Sequence, residues 1–227
     1  GKWSIPNQYY RELKGISRYL EIDIAWLIAA NMLYDIVQVI SASPPAACSS
    51  ASKIITGRGY LVRNLEWAIP EDLGKSTYII KVVNGKKELY QSVSFPGSIG
   101  VLSAVTDKLA VTLNQAPSNY SYSSLATGTP TLLALRSALE TNKKFKAPDS
   151  MTSYILNIVE KAKNGPLLYK VENNVDHSYT SGKGRNTYIA TNHYTLSENE
   201  LSDEDLEWSN ERYDFIDKSI GSIQNKE

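Results

Sequence analysis

Cys48-Ser49-Ser50-Ala51-Ser52-Lys53-Ile54-Ile55-Thr56-Gly57-Arg58-Gly59-Tyr60-Leu61-Val62-Arg63-Asn64-Leu65-Glu66-Trp67 opens on the sole cysteine of the chain. Small residues, Pro44-Pro45-Ala46-Ala47, lead into it, and Gly57 with Gly59 marks a hairpin-like reversal between two extended runs. Folding the second run back beside the first brings Arg63 and Glu66 close to the sulfur. Two readings of Cys48 follow. It is a nucleophilic thiol with a cation and a carboxylate beside it, since thiolate is the reactive form and a neighbouring arginine lowers a thiol pKa from its free value of about 8.5. Or it is a small buried hydrophobe, as many free cysteines are. Spacing alone leaves both open.

The 227 residues suffice for one large domain or two small ones, and 42% hydrophobic with 21% charged residues predicts a globular fold with a sizeable core. Twenty-four basic and 24 acidic residues balance, which argues against a nucleic-acid surface or a polybasic membrane patch as the main activity. One cysteine excludes an internal disulfide and fits either a reducing compartment or a secreted protein that uses none. Two histidines and one cysteine make no metal set, and no phosphate-binding glycine loop is present. No cofactor is therefore expected.

Upstream of the cysteine, Pro6 to Leu20 reads as a helix with Tyr10, Leu13 and Leu20 at helical spacing. A second helix over about 24–39 follows the capping residue Asp23 and is apolar on nearly every side. Asp23, Asn31, Asp35 and Gln38 interrupt it before about 18 clean apolar residues accumulate, so burial within the protein is favoured over a membrane span. Downstream, 77–83 and 88–93 flank Asn84-Gly85 as a hairpin, and 97–105 with 109–114 make a second pair around Asp107-Lys108. These are meanders, so the sheets are expected to be antiparallel. Residues 115–129 read as a loop and candidate substrate lid, 130–142 and 148–163 as helices, and 166–171 and 186–194 as further strands.

Cys48-Ser49-Ser50 followed by Arg63-Asn64-Leu65-Glu66-Trp67 resembles the nucleophile start of the cysteine N-terminal-nucleophile hydrolases, which include the acid ceramidase and N-acylethanolamine acid amidase group, the choloylglycine hydrolases and the penicillin acyltransferase-like enzymes. Glu12-Leu13-Lys14-Gly15-Ile16-Ser17 and Asn31-Met32-Leu33-Tyr34-Asp35 resemble the signature that precedes the cysteine in the acid ceramidase and acid amidase branch. Leu113-Asn114, Thr191-Asn192-His193 and Ser209-Asn210-Glu211-Arg212-Tyr213 resemble three more elements of the family, in the family's order. The resemblance implies an α+β fold, a four-layer αββα sandwich with antiparallel sheets. It also implies self-cleavage between Ala47 and Cys48, leaving 1–47 as a small subunit and 48–227 as the catalytic domain. The family pattern continues for further strands beyond the Arg212 position, so either those strands come from elsewhere or the catalytic domain is an incomplete or diverged form that lacks them.

In such an enzyme the freed α-amine of Cys48, with a pKa near about 7.7–8, serves as base for its own thiol. Sulfur attacks an amide carbonyl, an acyl-thioester forms, and water releases the acid. The resemblance gives Arg63 the task of favouring thiolate and Glu66, where the family carries aspartate, that of holding the α-ammonium. Asn114 and Asn192 would offer side-chain NH₂ groups to the oxyanion, and Arg212 would orient Cys48. The implied substrate is a lipid amide, N-acylethanolamine or ceramide-like, and the implied setting is secreted or lysosome-like, with a cytoplasmic one left open; separately, the apolar run 24–39 is a candidate for membrane-surface contact. Alternatives are an acyltransferase or bile-salt-type amidase of the same fold, or an uncleaved lipid-binding relative. His193 and His177 also invite a Cys-His dyad, but His193 follows Asn192, and strand alternation would point it away from the face that Asn192 uses.

Overall fold

The Cys48 run folds as the predicted hairpin. In the computed structural model, which describes residues 5–40, 46–67, 71–117, 128–141, 144–174, 177–199 and 201–223, β1 (Ala46–Ile55) and β2 (Arg58–Trp67) pair antiparallel over their whole length. The reversal uses Thr56 and Gly57, both at positive φ (46° and 74°). That conformation suits glycine and is uncommon for a β-branched residue.

The chain divides into two units. One comprises Ser43–Ala68, Ser103–Asn119 and Ser153–Glu227. Its first sheet has the order β10-β1-β2, with β10 at Thr187–Ala190. Helix α5 (Asp203–Ser222) lies on that sheet through Tyr213, Ile216 and Ile220, which pack on Ala51 and Ile189. The second sheet of this unit runs through β5 (Ser103–Val105), β6 (Leu109–Gln115), β7 (Tyr154–Ala162), β8 (Gly165–Asn174) and β9 (His177–Thr180), each antiparallel to the next. Between the sheets, Val159, Leu168 and Tyr188 pack with Ile54, Leu61 and Ala110. Ser52 Oγ donates to Asn157 Oδ1 at 2.7 Å, which satisfies both buried groups. At Gly59 a Cβ would stand 2.5 Å from Val159 Cγ1, so only glycine fits.

The other unit comprises Gly1–Ala42, Ile69–Leu102 and Tyr120–Thr152. It holds α1 (Asn7–Leu20), α2 (Ile24–Ile40), the short α3 (Glu71–Lys75), the hairpin β3 (Tyr78–Asn84) and β4 (Lys87–Ser94), and α4 (Thr131–Glu140). Tyr9, Leu13, Leu27, Ile99 and Leu133 form its core. Several residues of the upstream signature tie this unit together. Glu12 pairs with Arg136 at 2.8 Å. Asn31 donates to Leu27 O and Gly97 O and accepts from Ile99 N–H, all at 2.8 Å. Asp35, fully buried, accepts from the Thr131 and Thr152 hydroxyls at 2.6 Å each and from Thr131 N–H. No described helix is long and apolar enough to cross a membrane.

Four expectations are corrected. Residues 148–163 do not form a helix: 154–162 are β7, and Tyr154 through Val159 are buried on both faces. A strand covered on both sides has no apolar alternation, so Met151, Ile155 and Ile158 imitate helical spacing. The strand expected over 97–105 shrinks to 103–105, because 97–102 is irregular, with Gly97 at φ 81° and Gly100 against Leu132. The β3–β4 reversal sits at Gly85-Lys86 rather than Asn84-Gly85, since Asn84 already pairs with Lys87 after a bulge at Val82/Val83. Strand β10 ends at Ala190 rather than 194. The candidate lid over 115–129 falls largely outside the described residues, which resume at 128.

Helix α5 is an element that the sequence reading passed over, although Ser202 caps it by accepting from Asp205 N–H and its first turn carries Asp203, Glu204 and Asp205. Helix, sheet and sheet in one unit, with antiparallel strands throughout, are consistent with the αββα sandwich.

Candidate active site

Alternation along β1 divides the site. Cys48 and Ser50 face one side of the sheet and Ser49 and Ala51 the other. On β2, Arg63 and Leu65 share the side of Cys48, and Asn64 and Glu66 that of Ser49.

On the first side, Arg63 Nη2 lies 3.1 Å from Cys48 Sγ and 3.4 Å from Leu113 O of β6. The thiol, 1% exposed, is thus buried against a guanidinium. On the second side, Glu66 accepts from Ser49 Oγ at 3.1 Å, Asn64 Nδ2 at 2.9 Å and Arg212 Nη1 at 3.1 Å. Glu66 therefore reaches the site through Ser49 and Arg212, on the face opposite the sulfur.

The main chain of Cys48 is held as closely as its side chain. Its N–H donates to Asn192 Oδ1 at 2.9 Å. Its carbonyl accepts from Asn114 Nδ2 at 3.1 Å and Arg212 Nη1 at 3.0 Å. Arg212 Nη2 also donates to Asn192 Oδ1, at 2.9 Å, so one arginine from α5 links Glu66, the Cys48 carbonyl and Asn192. Burial pushes its guanidinium below the ordinary value and Glu66 opposes that shift. The Trp208 ring lies 4.4 Å from the guanidinium carbon.

All six candidate residues, Cys48, Arg63, Glu66, Asn114, Asn192 and Arg212, converge here. The two asparagines are not poised alike. Asn114 Nδ2 also lies 2.9 Å from Ala190 O and 3.1 Å from Thr191 O, and Asn192 Nδ2 donates to Gln115 O at 2.8 Å. In the continuous chain both NH₂ groups serve main-chain carbonyls, and Asn192 turns its oxygen toward Cys48. The buried Ala47 sits opposite Glu66, next to the Cys48 N–H.

His193 takes no part in a Cys-His contact. Its Nδ1 is 3.0 Å from Thr191 Oγ1 and 2.9 Å from Ser209 Oγ. Burial, reinforced by Lys170, pushes its pKa down to about 4. Ser49, Thr191, His193, Trp208 and Ser209 are participants that motif reading did not assign. Ser209 was legible only as the first letter of the arginine motif. A cavity of about 510 Å³ opens on the α5 side, lined by Val62, Trp208, Phe215 and Ile216 together with Glu66 and Arg212.

No family model matches the sequence. Acid ceramidases of Homo sapiens, Bos taurus and Macaca fascicularis are each 25% identical over 121 residues, a match that covers 49% of this chain and 30% of theirs. Among solved structures, a Caenorhabditis elegans orthologue of N-acylethanolamine-hydrolyzing acid amidase has the same fold. Its TM-score is 0.50 at 14% identity, covering 71% of this chain and 85% of that one. The chain is thus similar in sequence to the acid ceramidases over about half its length and shares the fold of that acid amidase orthologue. The match spans less than a third of the length of those ceramidases. The acid ceramidase and acid amidase branch is also the one that the residues before Cys48 resemble, and in this chain Glu12, Asn31 and Asp35 of that signature are structural ties.

Proposed function

We propose that this chain is an autoproteolytically activated cysteine amidase acting on the linear amide bond of a lipid amide, N-acylethanolamine or ceramide-like. The observation that carries the proposal is that the nitrogen, carbonyl and sulfur of Cys48 are each held by side chains, with Arg63 on the sulfur, Asn192 on the nitrogen, and Asn114 and Arg212 on the carbonyl oxygen. Relatedness to acid ceramidases and the fold of an acid amidase favour the same class.

In the first reaction Sγ attacks the Ala47 carbonyl and the acyl group moves from nitrogen to sulfur. Water then hydrolyses the thioester, leaving 1–47 with a new carboxylate and 48–227 with a free amine. That amine takes the thiol proton in the second reaction, and Sγ attacks the substrate carbonyl. The leaving amine departs protonated, and water cleaves the acyl-thioester to release the fatty acid. Asn192 Oδ1 would hold the new amine where it now holds the N–H, Arg63 would stabilise the sulfur anion, and Glu66 would act on the amine through Ser49 and Arg212. Exposed Ile22, Trp26 and Leu33 on and beside α2 provide an apolar stripe suited to meeting lipid at a membrane surface.

Intact mass after incubation at acidic and neutral pH, with Cys48→Ala as control, tests activation. Two fragments parting at Ala47/Cys48 only in the parent protein, followed by release of fatty acid from an N-acylethanolamine, are expected. A single uncut mass at every pH sinks the proposal.

A further inference from the structure

Asn192 lies two residues past the end of β10, so no ladder hydrogen bond holds its main chain. Its N–H instead donates to Ser209 Oγ of α5 at 2.9 Å. Ser209 Oγ stands 3.0 Å from Thr191 Oγ1, and both hydroxyls stand within 3.0 Å of His193 Nδ1. Thr191, Asn192, His193 and Ser209 are all buried. One set of directions satisfies every group: Asn192 N–H donates to Ser209, Ser209 to Thr191, and Thr191 to an unprotonated His193 Nδ1. The chain of donors ends on the imidazole, and at the other end of the asparagine Oδ1 receives the Cys48 N–H.

We propose that Ser209, backed by Thr191 and His193, is a positioning residue for Cys48: it locks the Asn192 main chain so that Asn192 Oδ1 stays on the nitrogen of the Ala47–Cys48 bond. Two segments that follow each other along the chain, 191–193 and 209–213, thereby act as one device, since Arg212, one turn after Ser209, grips the same Oδ1. The loop beyond is pinned independently, Glu172 accepting from Thr195 N–H and Leu196 N–H at 2.8 Å each. Asn192 is therefore anchored from both directions.

A protonated imidazole has no lone pair at Nδ1 and leaves the Thr191 proton, the last in that chain of donors, without its acceptor. The charged and titratable groups around the ring are Lys170 and Glu172 from β8, and Arg212, Tyr213 and Asp214 from α5. Burial and the two cations hold the ring neutral to about pH 4, so the lock survives mild acid and opens only below that.

Amide hydrogen exchange of Cys48 in the full chain, kept uncut if necessary by Cys48→Ser, reads the lock directly. Ser209→Ala is expected to speed exchange at position 48 by roughly ten-fold, the worth of about one hydrogen bond, while the amides of 50–53 keep their protection. Ser209→Thr should recover most of it. His193→Leu should open the lock, and His193→Asn, which offers a non-titrating oxygen, should restore it and abolish the loss of protection below about pH 4. Unchanged exchange at position 48 in Ser209→Ala, or equal acceleration along all of β1, overturns the assignment. The cleavage rate, which should fall with Ser209→Ala, rests on the proposed function. If the parent never cleaves, that reading fails while the exchange data still decide the lock.

Discussion

Arg63 Nη2 reaches Cys48 Sγ at 3.1 Å although the two residues are not opposite each other in the hairpin. Cys48 faces Leu65, and Arg63 faces Ser50. The contact is diagonal, across one sheet face, and a long side chain spans it. Arg63→Met keeps the stem and removes the charge, so we expect cleavage and fatty-acid release to fall by about 10²–10³, the usual loss on removing a preorganised electrostatic partner. Arg63→Lys should recover part. Parent-like rates in Arg63→Met, from intact mass and product release, would remove Arg63 from the mechanism.

The buried carboxyl of Asp35 titrates at about 6 rather than 3.8, because burial raises it more than the Thr131 and Thr152 hydroxyls lower it. The folded state therefore binds this proton more tightly than the unfolded chain. Its contribution to stability is fully present below about pH 4 and is lost as pH rises through 6, some 3 kcal/mol in all. Asp35→Asn lacks the titration. Denaturant unfolding at pH 4 and pH 7 should show the parent losing stability relative to the variant, and a pH-independent difference would count against it.

Lys170 and Glu172 form an ion pair at 2.9 Å with both side chains almost wholly buried. Desolvation pulls the lysine below its ordinary value and Glu172 opposes it. Lys170→Met strands the carboxylate and is expected to cost about 3–5 kcal/mol. Adding Glu172→Gln should recover part of that. Urea midpoints of the single and double variants give the comparison, and an equally stable single variant would show that the pair is dispensable.

Gly100 has no room for a side chain: a Cβ there would lie 2.5 Å from Leu132 Cβ. Gly100→Ala should push α4 aside and lower stability by about 1–3 kcal/mol, whereas Gly74→Ala, with nothing within 4 Å, should not. Thermal unfolding of the two variants tests the contrast.

The elements legible in the sequence were those with local causes. Gly57 announced the β1–β2 turn, Pro6 announced α1, although its buried face uses Tyr9 and Leu13 and leaves the expected Tyr10 and Leu20 exposed, and Asn84-Gly85 placed the β3–β4 hairpin to within one residue. Strand β7 is not legible in the sequence, because a central strand buried on both faces carries no alternation. Helix α5 carries its own local signals, the Ser202 cap and the acidic first turn Asp203-Glu204-Asp205, but the arginine motif at 209–213 lies on the same stretch and reads there as a site element.

By itself the sequence determined the nucleophile candidate, the cation that reaches it and the family pattern around them, since these depend on residue identity and on a turn made by adjacent residues. Only the tertiary structure decided which atoms meet. Cys48 and Asn192 are 144 residues apart and Cys48 and Asn114 are 66 apart, and the register of β10 and β6 is set by packing between sheets rather than by any local signal. That packing turns Asn192 oxygen-first toward the cysteine, sends Glu66 to the opposite face, and makes His193 the end of a hydroxyl chain. Side-chain direction follows from strand pairing and burial, which residue order alone does not specify.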